Sequence, residues 1–357
     1  MRSVSQINSD FWLGKRVLLT GHTGFKGSWF SLWLQSMGVT LRGMALPAPT
    51  KPALFDIANV AEGMEHRIGD IREYESIKSQ INEFRPEIVF HMAAQPLVRL
   101  SYRQPLETYA TNVMGTLHVL EAARHAGTVK AIVNITSDKC YDNLAWIWGY
   151  RENDPMGGSD PYSNSKGCAE LLSNAYRKSF LASEGISMAT ARAGNVIGGG
   201  DWALDRLVPD ILRALDNREP VSIRNPHAIR PWQHVLEPLS GYLILAERLV
   251  EHGQLDAEGW NFGPRDHDAK SVQWIVERVC ALLAQGADWR LRVDEYAHEA
   301  HYLKLDISKA QQRLHWEPRW TLQTALSHTI DWHQAWLSGQ NMREVCIKQI
   351  QLYNQVA

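Results

Sequence analysis

Lys15-Arg16-Val17-Leu18-Leu19-Thr20-Gly21-His22-Thr23-Gly24-Phe25-Lys26-Gly27 joins a short apolar run to a turn with glycines at every third position. The run reads as a buried strand, and Phe25 to Gly38 has the apolar spacing of a helix closed by a glycine. Glycines in that β-turn-α setting allow a tight turn, close approach of a pyrophosphate to backbone, and tight helix-on-sheet packing; the helix N-terminus then presents N–H groups to the phosphates. A nicotinamide dinucleotide is therefore the expected occupant. No Gly-Lys-Ser/Thr follows at the offset a Walker P-loop requires.

Outward from this unit the alternation continues. Val39 to Leu46 reads as a second strand, Glu87 to Met92 as a third and Ala131 to Thr136 as a fourth, each preceded by a helical segment. The expected fold is α/β, a doubly wound parallel Rossmann sheet with a smaller C-terminal α/β substrate-binding domain. The dinucleotide domain is expected to take residues 1–195, with 236–253 and about 302–328 returning to it; 196–235, 254–301 and 329–357 would form the second domain. Gly198-Gly199-Gly200 reads as a flexible break between them, and Leu46 to Pro52 as a loop.

Composition limits the functional classes. With 357 residues, 45% of them hydrophobic, the chain can bury a substantial core over about two domains. A net charge of -2 gives no global basic excess for nucleic acid or an anionic membrane. The four cysteines, Cys140, Cys168, Cys280 and Cys346, form no CxxC pair, so neither a disulfide framework nor a metal site is expected. The N-terminal residues contain no apolar signal core, and a cytoplasmic location is the expectation. The 14 Trp suggest packing and a subunit interface.

The second strand lacks the acidic residue that usually holds the ribose hydroxyls and carries Arg42 instead, leaving NAD and NADP both open. Asp70 in Gly69-Asp70-Ile71 is placed to accept from an adenine amine, or to sit in a surface turn. Asp160-Pro161-Tyr162 reads as a helix cap, which puts Tyr162 and Lys166 one turn apart on one face. A nearby ammonium and a cationic nicotinamide would lower the phenol toward neutrality, making Tyr162 a base for a sugar hydroxyl. Ser137-Asp138-Lys139 follows the fourth strand, at the carboxyl end where such sheets place their sites. Ser137 can bond the hydroxyl that Tyr162 deprotonates. A protonated Asp138 can give a proton to a leaving hydroxide, and Lys139 can act as a base or steady an enolate.

Taken together, Thr20 to Gly27, His91-Met92-Ala93-Ala94-Gln95, Asn112-Val113-x-Gly115-Thr116, Ser137, Tyr162 with Lys166, and Arg192-x-x-Asn195-Val196-x-Gly198 resemble the extended short-chain dehydrogenase/reductase family over nearly the whole chain. An acid directly after the serine is similar to the nucleotide-sugar 4,6-dehydratases of that family, and Ser-Asp-Lys in place of Thr-Asp-Glu resembles the branch acting on CDP-glucose.

This resemblance implies a lyase that oxidises C4 with bound NAD, eliminates water across C5 and C6 and returns the hydride to C6. Such a reaction lies early in dideoxyhexose synthesis for surface polysaccharide. Cofactor contacts are implied at Gly21, Thr23, Gly24, Phe25, Lys26, Gly27, Asp70, Ile71, Met92, Ala93, Ala94, Gln95, Asn112, Thr136, Tyr162, Lys166 and Arg192. Substrate contacts are implied at Asn195, Arg206, Arg230, His234, His301 and Tyr302. The helical stretches Tyr109 to His125 and Tyr162 to Phe180 are similar to those that pair relatives across a two-fold, so a homodimer or homotetramer is expected. Two other readings stay open: a nucleotide-sugar 4-epimerase, which needs no acid at C6, and a non-catalytic dinucleotide sensor, which would not need both Tyr162 and Lys166.

Overall fold

The computed structural model describes residues 6–283, 289–291 and 302–356. Its centre is a sheet of seven parallel strands: β1 (Arg16–Thr20), β2 (Thr40–Ala45), β3 (Glu65–Ile68), β4 (Ile88–His91), β5 (Ala131–Ile135), β6 (Ser187–Ala193) and β7 (Gly259–Phe262), in the order β7-β6-β5-β4-β1-β2-β3. The order reverses between β1 and β4, and the crevice at that switch point is where doubly wound sheets hold ligands. The expected Rossmann architecture is present. Glu65–Ile68 is a strand absent from the sequence reading, because three of its four residues are exposed and polar or edge-facing.

Both faces of the sheet are covered, which explains why its strands are apolar runs rather than alternating ones. Val17, Leu19, Ile88, Phe90 and Val133 face a core that includes Trp29, Phe30 and Trp33 of α1 (Phe25–Ser36). Leu18, Val89 and Ile132 face the opposite core, with Ile77 and Ile81 of α2 (Tyr74–Phe84) and Val119 and Leu120 of α3 (Gly115–Arg124). The catalytic-motif helix α4 (Pro161–Tyr176) follows, and a second lobe is built around α5 (Leu207–Asp216). A long buried helix, α6 (Leu236–His252), returns to the sheet, while α7 (Val272–Leu282) and α8 (Leu322–Leu337) pack with α5. The chain ends in α9 (Met342–Gln355).

Three expectations about organisation are corrected. Residues 254–301 do not all belong to the second lobe, since β7 pairs with β6 from Gly259↔Thr190 to Phe262↔Ala193. Nor does 329–357: in α9, Tyr353 meets Trp33 edge-on and donates its hydroxyl to Glu237 of α6, and Arg343 bonds Gln35 of α1. Apolar area on the outer side of α1 demands that cover. The glycine triplet is not a loose hinge either. Gly199 is buried, a Cβ there would lie 2.1 Å from the Trp332 ring, and its carbonyl accepts from Trp29 Nε1 at 2.9 Å. Close packing, rather than freedom, requires glycine at that point.

Tryptophan is largely core: Trp12, Trp29, Trp33, Trp260, Trp316 and Trp332 are fully buried, each such side chain contributing on the order of 3 kcal/mol of gross burial. Buried indole N–H groups need acceptors, and Glu247 supplies one to Trp12 at 2.6 Å and also accepts from the Asn8 amide at 3.1 Å. Burial pushes the Glu247 carboxyl up to about 7 against the pull of those two donors.

The folded state therefore holds a proton that the unfolded chain releases from its ordinary 4.5 upward, and stability falls as pH rises from there through about 7. Glu247→Gln keeps the accepting oxygen for Trp12 and Asn8 but cannot titrate. Its melting temperature relative to wild type should climb between about pH 5 and about pH 7.5. A difference that stays flat across that window would refute the assignment.

Candidate active site

The β1–α1 turn fits a dinucleotide by what it leaves out. Gly21 has φ +79°, and a Cβ there would stand 2.7 Å from the Ala93 amide nitrogen; one at Gly27 would stand 2.1 Å from the Gly21 carbonyl oxygen. Gly24 caps α1 without any side-chain bond to its first N–H groups, so those donors are available to a phosphate. Phe25 and Lys26 open the helix. Thr23 does not face outward: its hydroxyl donates to the Leu46 carbonyl at 2.9 Å and ties the turn to the end of β2.

Neighbouring loops are braced in the same way. Thr20 Oγ1 accepts from the amides of Met92 and Ala93, both at 3.1 Å. Beyond Ala94, the Gln95 amide donates to Asn112 Oδ1 at 2.8 Å, and Asn112 Nδ2 donates to Gln95 O and to Ser165 Oγ. The Asn112 side chain, expected to touch the cofactor, is thus spent holding the β4 loop against α4. Gln95 donates its own side-chain amide to Leu97 O and Thr108.

On the adenosine side, Asp70 is engaged by Arg72, which also reaches Glu107. That guanidinium holds the Asp70 carboxyl below its ordinary range despite partial burial. Ile71 is a core residue, with its carbonyl against His118 Nδ1 at 3.0 Å. Arg42 is buried, paired with Glu65 and with Glu83 at 3.0 Å, and stacked on Phe84. Its charge is consumed inside the sheet edge and is not a receptor for a ribose phosphate.

The chemistry-bearing residues gather at the carboxyl ends of β5 and β6. Ser137 caps the single 3-10 turn Asp138–Cys140, accepting from the Lys139 amide at 3.2 Å and donating to Asp138 Oδ1 at 3.0 Å. Asp138 is 2% exposed, and its Oδ2 has no hydrogen-bond partner among the described residues. Lys139 Nζ lies 3.9 Å from Asp138 Oδ1 and is partly open to solvent. Gly194 makes room for this carboxylate, since a Cβ there would be 3.0 Å from Asp138 Oδ2.

Tyr162 and Lys166 are on one face of α4, as the spacing predicts. Asp160 caps the helix by accepting from the Ser163 amide at 2.9 Å, and Pro161 occupies its first turn. Tyr162 is buried; burial drives its phenol up to about 12, while Ser137 and the charge of Arg206 pull it down. Lys166 donates to Ile135 O at 3.4 Å, and burial lowers its ammonium to about 8 against the attraction of Glu170. The fall of the phenol toward neutrality expected from a neighbouring ammonium together with a cationic nicotinamide is not produced by the protein's own residues, where desolvation dominates. Lys26 extends into the same space, 3.3 Å from Tyr242 Oη, and is lowered to about 7 by burial and by the charges of Lys166 and Arg206.

Substrate-side expectations divide. Asn195 is half-buried at the start of the second lobe, its carbonyl accepting from Gln233 N at 3.0 Å. Arg206 is held by Asp201 at 2.8 Å and is about a third exposed. Arg230 lies on the strand Ile229–Pro231, which bridges to Tyr302. His301 lies outside the described residues. His234 is corrected: it is fully buried between Trp29 and Trp320 and belongs to the core. Arg192 is also corrected, because its guanidinium is bidentate to Glu170 at 2.7 and 2.9 Å and bonds Tyr141 and the Glu152 carbonyl.

A family model described as GDP-mannose 4,6 dehydratase matches residues 18–329. The chain belongs to that family. It is 60% identical over 96% of its length to the CDP-glucose 4,6-dehydratase of Salmonella typhimurium, 96% of which is covered. A dTDP-glucose 4,6-dehydratase of Xanthomonas campestris is 27% identical, with 90% of this chain and 95% of that protein covered. Among solved structures, DesIV, a dTDP-glucose 4,6-dehydratase of Streptomyces venezuelae with NAD and TYD bound, superposes with a TM-score of 0.79 at 21% identity over 91% of this chain and 98% of its own. The membership accounts for the extended short-chain dehydrogenase/reductase motifs and for the fold.

Within this family site, Tyr242, Asp201, Gly194 and Glu170 escaped the sequence reading. Only Glu170 left a signal, four residues beyond Lys166 on the same face of α4.

In the cofactor-free protein, the phenol of Tyr162 should remain protonated at about pH 10, where an ordinary tyrosine is half ionised. Phenolate absorbance of wild type and Tyr162→Phe, titrated in parallel, should therefore coincide up to that pH. A one-tyrosine difference already present near neutrality would contradict the dominance of burial.

Proposed function

We propose that this protein is a CDP-glucose 4,6-dehydratase, converting CDP-D-glucose to CDP-4-dehydro-6-deoxy-D-glucose and water. The observation that carries the reading is a buried carboxyl, Asp138, with an open oxygen and with Lys139 beside it, set next to the Ser137–Tyr162 pair in a chain closely similar to such an enzyme. A 4-epimerase would use the tyrosine but would give Asp138 and Lys139 no task. A non-catalytic sensor would not need both Tyr162 and Lys166.

Bound NAD supplies the hydride acceptor at the start of the cycle and the donor at its end. The glycine turn and the open N-terminus of α1 fit its pyrophosphate; Tyr162 and Lys166 would hold its ribose. Tyr162 takes the O4 proton as C4 is oxidised, with Ser137 bonded to the same oxygen. The C4 ketone acidifies C5–H, and Lys139 removes that proton or steadies the enolate. Asp138 gives a proton to the C6 hydroxyl as water leaves; the hydride taken from C4 goes back to C6 and C5 is reprotonated, so no external reductant is consumed.

Generation of the phenolate needs help beyond the protein. The cationic nicotinamide ring would add positive charge where burial, even against Ser137 and Arg206, leaves Tyr162 at about 12. Arg206 and Arg230 suit the diphosphate, with Asn195 and Tyr302 beside them. His301 remains part of the expected substrate set.

No helix among the described residues is long and apolar enough to cross a membrane. Exposed Met114, Leu171 and Phe180 lie on the helical segments expected to pair, and exposed Tyr102 and Leu106 just before the first of them, which supports a homodimer or homotetramer. A cytoplasmic role early in dideoxyhexose synthesis for surface polysaccharide goes with this reading.

Incubation with CDP-, dTDP-, UDP- and GDP-glucose deuterated at C4, without added reductant, tests the assignment. Water should be lost from the CDP sugar with deuterium recovered at C6; a C4 epimer of unchanged mass would establish epimerisation instead. Lys139→Met should lower kcat by roughly a hundredfold or more and suppress exchange of C5–H with solvent. Persistence of that exchange would assign the C5 base to another group.

A further inference from the structure

We infer that Glu170 is a positioning residue for the reaction, its buried carboxylate fixing the carboxyl end of β5, which leads into Ser137, Asp138 and Lys139, against the helix that carries Tyr162 and Lys166. The inference rests on the dehydratase reading, in which the two groups of residues act on one sugar in succession.

The geometry is complete on both oxygens. Oε1 accepts from the Thr136 hydroxyl at 2.5 Å and from Arg192 Nε at 2.9 Å; Oε2 accepts from the Thr190 hydroxyl and from Arg192 Nη2, both at 2.7 Å. Burial works against the ionised form, but Arg192 and the two hydroxyls outweigh it and keep the carboxyl below its ordinary range. An ion pair this deep is a poor source of net stability compared with apolar packing, and its value is in placement.

The three elements it joins are those that matter. Glu170 is one helical turn beyond Lys166 and two beyond Tyr162, so all three share a face of α4. Thr136 immediately precedes Ser137, and Thr190 and Arg192 belong to β6. Where α4 passes the catalytic turn it has Gly167, whose Cβ, if present, would be 2.8 Å from the Gly157 carbonyl oxygen and 3.2 Å from that of Cys140. No side chain acts as a spacer there, and the Glu170–Thr136 bond holds β5 to α4 together with Lys166 to Ile135 O and Asn134 to Ser173, being the tie at the residue that adjoins Ser137. Removing the tie lets Ser137 and Asp138 drift relative to Tyr162, and displacements of about an ångström can cost up to a hundredfold in rate.

Thr136→Val deletes the hydroxyl and leaves the Glu170–Arg192 pair intact, whereas Thr136→Ser retains the hydroxyl. With CDP-glucose, Thr136→Val should lower kcat roughly tenfold with KM changed by less than about twofold, and Thr136→Ser should restore kcat. In the cofactor-free protein, the Lys139 and Cys140 amides should exchange hydrogen faster in Thr136→Val than in wild type. Glu170→Gln should show the same kcat loss; if it does not fold because Arg192 is left unpaired, Thr136→Val carries the test. Unchanged kcat and unchanged amide exchange in Thr136→Val, or no recovery in Thr136→Ser, would overturn the inference. Wild-type turnover in the same assay reads the dehydratase activity itself, and amide exchange reads the tie without substrate, so the two ideas fail separately.

Discussion

Parallel pairing with helical crossovers is the constraint on which this molecule depends. Because every strand of the central sheet runs the same way, the carboxyl ends of β1, β4, β5 and β6 all reach one edge of the sheet. Residues far apart in the chain, Gly21 with Ala93 and Asp138 with Gly194, are neighbours there. The switch in strand order between β1 and β4 opens the crevice.

Charge in that crevice is unusually concentrated. Lys26 feels the charges of both Lys166 and Arg206, and both lysines are pulled below the ordinary amine range chiefly by loss of water. Three basic groups facing one cleft suit a ligand with a diphosphate, and the protein without that ligand keeps them in tension. Tyr162 shows the opposite side of the same effect: burial holds its proton on, and only added positive charge can release it.

Much of the fold was legible because its signals are local. The β1 run, the glycine turn, the capped helix at Asp160 and the apolar β5 followed by Ser137-Asp138-Lys139 all state their conformation within a dozen residues. Tyr162 and Lys166 share a face because helical geometry leaves them no alternative. The weak strand Glu65–Ile68 and the close-packed Gly199 could not be read this way. Each takes its conformation from a partner distant in the chain: β2 for the strand, Trp332 for the glycine.

What the sequence determined by itself was a Rossmann sheet, a dinucleotide turn, and the identity and order of Ser137, Asp138, Lys139, Tyr162 and Lys166. What only the tertiary structure decided was which polar groups are free to act. Arg42 is claimed by Glu65 and Glu83, Arg192 by Glu170, Asn112 by the Gln95 backbone and Ser165, and His234 by the core. Among the described residues, Asp138 is the buried carboxylate of the catalytic end that keeps an oxygen without a partner. The physical reason is that a side chain's chemistry is set by residue type, whereas its availability depends on hydrogen-bond partners and loss of water, which are properties of neighbours brought together by folding.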